Sequence, residues 1–297
     1  LLAKRQIGAS GISISSLGFG AGGFWGMPLF DEGVARSLVD IALERGIDAF
    51  DTGPNYSQAN AEPRLGRILG SRVNDVFLAT KVGTRLINGK HVKGYTRAEM
   101  TQSFEQSLRL LGRDHVDLLQ FHGMPDPLTN EAMDFLLEQK QKGRTRLVGT
   151  STSVEGGRQA LAAGGFDVLM IEYNVIHRHE EKQLTEDAAK VGVGILVKSP
   201  LAQTLYSNRI WKVRSLSDFW YLARALKNMR HKIIKGRKYR FLTENGPGHD
   251  LALQFVLDNK DVTAAIIGTT RPHNLLANIQ AAQQPLPPDI RRRILAA

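Results

Sequence analysis

The sequence predicts an α/β protein: a single-domain (β/α)8 TIM barrel with an N-terminal hairpin and a long basic insertion between strands seven and eight. Three observations carry that expectation. Short apolar runs recur at roughly thirty-residue intervals, and segments with helical spacing lie between them, the pattern of successive βα units on a parallel sheet. The runs number about eight, the count that closes a barrel.

Taken in order, a Gly/Ser-rich opening at Ile7–Gly20 reads as a hairpin leading into a strand, with the first run near Ile14–Leu17. Further runs fall at Asp48–Phe50, Val76–Ala79, Val116–Phe121, Arg146–Val148, Asp167–Ile171, Gly194–Val197 and Ala264–Ile267. Glu32–Arg45 places Val34, Leu38, Ile41 and Ala42 on one helical face. Arg97–Leu111 does the same with Met100, Phe104, Leu108 and Leu111, and Glu131–Lys140 with Phe135 and Leu136. A last helix is expected at Pro288–Ala296. A doubly wound open sheet alternates similarly, but no GxGxxG opens a helix after the first strand. No linker divides the chain, so residues 1–297 read as one domain. The seventh and eighth runs are roughly sixty-five residues apart, about twice the usual interval, which makes residues 203–248 an insertion.

Composition narrows the function classes. The 297 residues include no cysteine, which excludes disulfides, thiolate metal sites and cysteine nucleophiles. No apolar run is long enough to span a membrane. The net charge of +10 is local: residues 209–240 hold eleven Lys or Arg against Asp218 alone, and the other 28 bases and 28 acids cancel. General polyanion affinity does not follow from it. The segment, with Trp211, Phe219, Trp220 and Tyr221, reads either as a solvated loop and helix or as a flap over an anionic ligand. The chain opens LLAKRQIG with no initiator Met and no signal-peptide h-region, and a cytoplasmic location is the expectation.

In an α/β barrel, function gathers at the C-terminal ends of the strands. Those ends here supply Asp51, Tyr56, Lys81, His122, Ser151, Tyr173, Asn174, Lys198, Ser199 and Thr269 to one rim. Asp51 and Tyr56 flank a Gly-Pro turn, which lets the phenol fold back over the end of the strand carrying the carboxylate. A free tyrosine, with a pKa of about 10, is a poor acid. Lys81 beside it favours the phenolate, Asp51 holds the ammonium, and His122 orients a substrate carbonyl. A tuned acid of this kind suits carbonyl reduction, where an alkoxide develops. No metal-ligand spacing, nucleophile elbow or P-loop is present.

The ordered segments FDTGPNY, TKVG, LLQFHG, GTS, EYN, SPL and IIGTTRPHNLLANI resemble the aldo-keto reductase superfamily, as do GASGISISSLGFGAGGFWG and NAEPRLGRIL. The resemblance covers nearly the whole chain and is weakest in the insertion. It implies an α/β barrel that transfers a hydride between a nicotinamide cofactor and a carbonyl or alcohol. The implied tetrad is Asp51, Tyr56, Lys81 and His122, with Tyr56 as proton donor. Implied cofactor contacts are Ser151, Thr152, Met170, Lys198, Ser199, Pro200, Leu201, Gly268, Thr269, Thr270, Arg271, Asn274 and Asn278. Trp25, Tyr56 and His122 are expected to line the substrate pocket.

This chain departs from the family pattern at several of these positions. Thr152 stands where an Asn is usual, Met170 where a Gln is common and Lys198 where an aromatic often stacks. None of Gly268, Thr270 and Asn274 is basic, which leaves Arg271 or the insertion to meet a 2′-phosphate. NADP(H) is favoured and NAD(H) possible. The expected partner is a small carbonyl or alcohol, with no nucleic acid or membrane, and the oligomeric state is not readable. Two rival readings are a cofactor-binding regulatory subunit with slow or vestigial chemistry and a polyanion- or membrane-surface binder acting through residues 209–240.

Overall fold

The chain begins with two short antiparallel strands, β1 (Lys4–Gln6) and β2 (Ser13–Ser15), which together form a lid on the barrel floor. Ile7 and Ile14 from this hairpin are fully buried against the apolar residues of the barrel interior. Arg5 fastens the hairpin through the carbonyls of Leu257 and Val262, at 2.6 and 2.7 Å. The computed structural model describes residues 1–87, 89–202, 205–207, 213, 215–228, 234–244, 246 and 248–297. Trp211 and the insertion cations Arg209, Lys212, Arg214, Arg230 and Lys232 lie outside the described residues.

Eight parallel strands close into a barrel: β3 (Leu17–Gly20), β4 (Ala49–Asp51), β5 (Phe77–Val82), β8 (Val116–His122), β9 (Thr145–Ser151), β10 (Val168–Glu172), β11 (Gly194–Lys198) and β12 (Ala264–Ile267). The barrel expected from the run spacing is therefore present, with one correction. The first barrel strand is Leu17–Gly20, and Ile14 belongs to the floor hairpin. The break falls at Ser16, next to Ser15, whose hydroxyl donates to the Leu17 carbonyl and whose amide donates to Asp48 Oδ1. A second hairpin, β6 (Thr84–Ile87) with β7 (Lys90–Lys93), rises from the end of β5 and was not expected.

Helices cover the outside: α1 (Glu32–Glu44), α2 (Ala61–Leu69), α3 (Arg97–Leu111), α4 (Asn130–Gln141), α5 (Val154–Ala163), α6 (His179–Lys190), α7 (Leu216–Asn228), α8 (His249–Asp258), α9 (Pro272–Ala282) and α10 (Pro288–Ala296). Local chemistry fixes several ends. Asp31 caps α1 by accepting the Val34 amide, and α3 opens with a Thr96/Glu99 capping box. Gly112 ends α3 at φ 72, a left-handed conformation that glycine adopts without cost. Among the described residues, no helix is long and apolar enough to cross a membrane.

Strand alternation divides the core into two shells and so builds the site. Ala49, Phe77, Ala79, Leu118, Leu147, Val168, Leu196, Ala264 and Ile266 point inward and fill the barrel. Their neighbours Phe50, Leu78, Leu119, Val148, Leu169, Val197 and Ala265 point outward under the helices. Two residues above Ala49, Ala79 and Leu118 on the same faces stand Asp51, Lys81 and Gln120. The apolar interior thus ends upward in a polar layer.

Candidate active site

Asp51 ends β4 and Lys81 lies one residue before the end of β5. Lys81 is 0% exposed, and its ammonium lies 2.7 and 2.8 Å from the two Asp51 carboxylate oxygens and 2.7 Å from the Thr52 carbonyl. Burial by itself would lower the Lys81 pKa, but Asp51 and Tyr56 outweigh it and hold the group above its usual value, so it stays charged. From β8, Gln120 donates to Asp51 Oδ1 at 3.2 Å and fixes the carboxylate from the other side.

Tyr56 lies over this pair, its ring centroid 4.8 Å from Lys81 Nζ. Its loop is held down at several points. The Tyr56 amide closes a turn onto the Gly53 carbonyl, Ser57 Oγ donates to the Gly23 carbonyl at 2.6 Å, and Asn60 donates to the Gly26 carbonyl at 2.8 Å. Ser57, Gln58 and Ala59 all take left-handed φ values of 56, 59 and 62. Such a run of non-glycine residues costs on the order of 1 kcal/mol or more each, and these tethers sustain it.

The loop after β3 packs against the Tyr56 ring. A Cβ at Gly22 would stand 2.8 Å from Tyr56 Cδ2. Gly22→Ala is therefore expected to push the phenol off Lys81 and lower kcat/KM by about 10- to 100-fold, because a displacement of about 1 Å at a reacting group can cost that much. Thermal melting of the variant should change far less than its steady-state kinetics.

His122 ends β8, with its ring 5.4 Å from the Tyr56 ring at an interplanar angle of 74°. Burial first, then Lys81, Lys198, His91 and Lys93, push its pKa down to about 3. The imidazole is consequently neutral at physiological pH, able to orient a carbonyl oxygen without adding a charge. Its Nδ1 is enclosed with no partner among the described residues.

Around the remaining rim, Ser151 ends β9 in register with His122 and Met170, and its hydroxyl is 3.1 Å from Lys198 Nζ. Met170 is 2% exposed and belongs to the apolar interior shell. Thr152 is buried beside Ser151, its amide bonded to the Met170 carbonyl. Ser199 takes a left-handed φ of 54, its carbonyl accepting from Asn174 at 3.1 Å, and a turn over Pro200 and Leu201 brings the Ala202 amide back to it. Beyond β12, Gly268 and Thr270 lead to Arg271, whose amide donates to Thr269 Oγ1. Asn274 and Asn278 follow on α9, which has Pro272 in its first turn and no side-chain N-cap.

One expected placement changes, and a second residue is already paired. Trp25 does not line an open mouth: it is 1% exposed, stands edge-on to Phe19 and donates its indole N–H to the Ala35 carbonyl under α1. Arg271 is already engaged, 2.6 Å from Asp218 on α7. Gln120 and Gly22 were not anticipated. Nor was Glu62 on α2, a fully buried carboxyl pushed up to about 7 by burial, which accepts from Thr80 and Ser107 on the outer side of β5. Its signal was present: Glu62 lies on the helical face of Leu65 and Leu69, which is buried.

The class these features define is matched by known proteins. The Aldo/keto reductase family model matches residues 16–296, and the chain belongs to that family, a family of oxidoreductases. AKR11C1 from Bacillus halodurans, in its holo form, is 30% identical and superposes with a TM-score of 0.83 over 100% of this chain and 96% of its own. The uncharacterized oxidoreductase YqkF of Bacillus subtilis is 28% identical over 94% of this chain and 90% of its own. The "Probable voltage-gated potassium channel subunit beta" of Arabidopsis thaliana is 28% identical over 93% and 90%.

Proposed function

We propose that this chain is a cytoplasmic NAD(P)(H)-dependent oxidoreductase acting on an aldehyde, a ketone or a sugar-type alcohol, with Tyr56 as general acid and base. The observation that carries the reading is the fully buried Lys81, held by Asp51 and lying 4.8 Å from the Tyr56 ring centroid. A cation there favours the phenolate, so the phenol gives up its proton as negative charge grows on a carbonyl oxygen. Neutral His122 orients that oxygen. In the reverse direction, Tyr56 takes the alcohol proton.

The residues present fit a nicotinamide cofactor. The Asn278 Oδ1 acceptor is buried at 2% exposure without a partner among the described residues, and the uncapped start of α9 offers backbone amides to an anion. Ser151, Thr152, Lys198, Ser199, Pro200 and Leu201 would hold the nicotinamide side, with Gly268, Thr269, Thr270, Arg271, Asn274 and Asn278 on the nucleotide side. When bound, the cofactor supplies or accepts the hydride.

NADP(H) is the favoured form, with Arg271 the basic group for its 2′-phosphate. Asp218 competes for that guanidinium. Asp218→Asn is therefore expected to tighten NADPH binding by about fivefold, the scale of a partly exposed ion pair, and NADH binding by less. Fluorescence titration with each cofactor measures both.

The test of the function itself is aldehyde-dependent consumption of NADPH by the purified protein, using 4-nitrobenzaldehyde. Turnover well above the uncatalysed rate is expected. A second reading, a cofactor-binding regulatory subunit, draws on the likeness to the Arabidopsis relative. It requires NADPH binding with turnover close to the uncatalysed rate, and the intact arrangement of Asp51, Tyr56, Lys81 and His122 supports the enzyme instead.

A further inference from the structure

The β6–β7 hairpin carries basic side chains that proton transfer does not use. It leaves the barrel directly after Lys81-Val82-Gly83 and is anchored on the strand end that bears His122. Thr84 Oγ1 donates to the His122 carbonyl at 3.3 Å, and Tyr95 OH lies 3.2 and 3.1 Å from the carbonyls of His122 and Gly123. His91 and Lys93, two residues apart, share one face of β7. His91 Nδ1 is 3.0 Å from Asn55 Nδ2, next to Tyr56. Lys93 Nζ is 3.8 Å from the point where a Cβ on Gly123 would stand, next to His122. The face therefore spans the two groups that would hold a substrate carbonyl. Lys198 approaches from the opposite side through its contact with Ser151, the register partner of His122.

Among the described residues, the carboxylates near these basic groups are largely committed. Asp51 is bound to Lys81 beneath Tyr56. Glu99, at the base of the hairpin, is taken by Arg85 and by the Thr96 cap. Glu172 stands in register with Lys198 and accepts from Asn174. On the hairpin side, positive potential therefore faces the carbonyl position. The low pKa of His122 has the same origin in part, since Lys198, His91 and Lys93 add to its burial.

We propose that the natural substrate is a carbonyl compound bearing an anionic group, a carboxylate or a phosphate, held by Lys93 with His91 beside it on the β6–β7 hairpin. The inference rests on the reductase reading and names its substrate class. A positive rim also draws an anionic substrate in, an effect that salt weakens.

Matched aldehyde pairs test it. One pair is 4-carboxybenzaldehyde and methyl 4-formylbenzoate, the other 4-formylphenyl phosphate and 4-methoxybenzaldehyde. For wild type, kcat/KM should favour the anionic member of at least one pair by roughly tenfold, as expected of a charge-assisted contact. The pair showing the larger ratio identifies carboxylate or phosphate. That ratio should fall towards one in Lys93→Gln, survive in Lys93→Arg and shrink as salt is raised. Ratios near one for both pairs in wild type, or a ratio unchanged in Lys93→Gln, overturn the proposal. If the neutral members are reduced without any anionic preference, only this inference fails. If no aldehyde is reduced and NADPH does not bind, the reductase reading fails and this proposal with it.

Discussion

Tyr56→Phe is expected to lower kcat by about 10³-fold, within the usual range for loss of a positioned general acid, while NADPH affinity stays within about twofold. The variant removes one oxygen and keeps the ring. The ring's edge contact with His122 and its fit against Gly22 do not need that oxygen, and Lys81, which loses a hydrogen-bond partner in Tyr56, keeps both Asp51 oxygens and the Thr52 carbonyl. Stability should therefore change little. Measuring kcat, the NADPH dissociation constant and thermal melting on one preparation separates a chemical loss from a folding loss. A kcat near that of wild type would mean that the proton comes from another group.

The second large effect concerns Lys81, where chemistry and stability are coupled. Lys81→Met leaves the Asp51 carboxylate in the barrel without its cation, with Gln120 still donating to it. Breaking a buried pair from one side typically costs about 3–5 kcal/mol, because the remaining charge is stranded. Activity should fall with it, since Tyr56 loses the cation that favours its phenolate. The double variant Asp51→Asn with Lys81→Met removes the stranded charge. It should recover a good part of the stability and none of the activity. Denaturant unfolding of the two single variants and the double, with kcat alongside, forms a cycle that checks this.

Why some of the site was legible in the sequence and some was not follows from how each residue is positioned. Asp51, Lys81 and His122 each stand at or within one residue of the end of a short apolar strand, and strand alternation alone turns them inward. Their convergence needs only the barrel. Tyr56 was legible because a Gly-Pro turn lets the phenol fold back to the rim where Lys81 and His122 arrive. The barrel itself came from the spacing of runs, but serine blurred its first strand: Ile14–Leu17 reads as one run, whereas Ser13–Ser15 ends the hairpin, the chain bends at Ser16, and the barrel strand starts at Leu17. The β6–β7 hairpin was missed although Asn88-Gly89 is a strong hairpin signal, because the strands beside it are too polar to stand out as apolar runs. Trp25 illustrates a different limit. An aromatic in a rim loop looks like a pocket wall until α1 is placed over it. The Arg271–Asp218 contact was not legible at all, since it joins residues 53 apart through an insertion that has no regular spacing.

We propose that Asp51, Tyr56, Lys81 and His122 form a site for hydride transfer with a nicotinamide cofactor. Titration of the wild-type protein with NADPH and with NADH, followed by intrinsic tryptophan fluorescence, tests it most directly. Saturable quenching at equimolar stoichiometry, tighter for NADPH than for NADH, is the predicted result. No saturable response to either cofactor would contradict it.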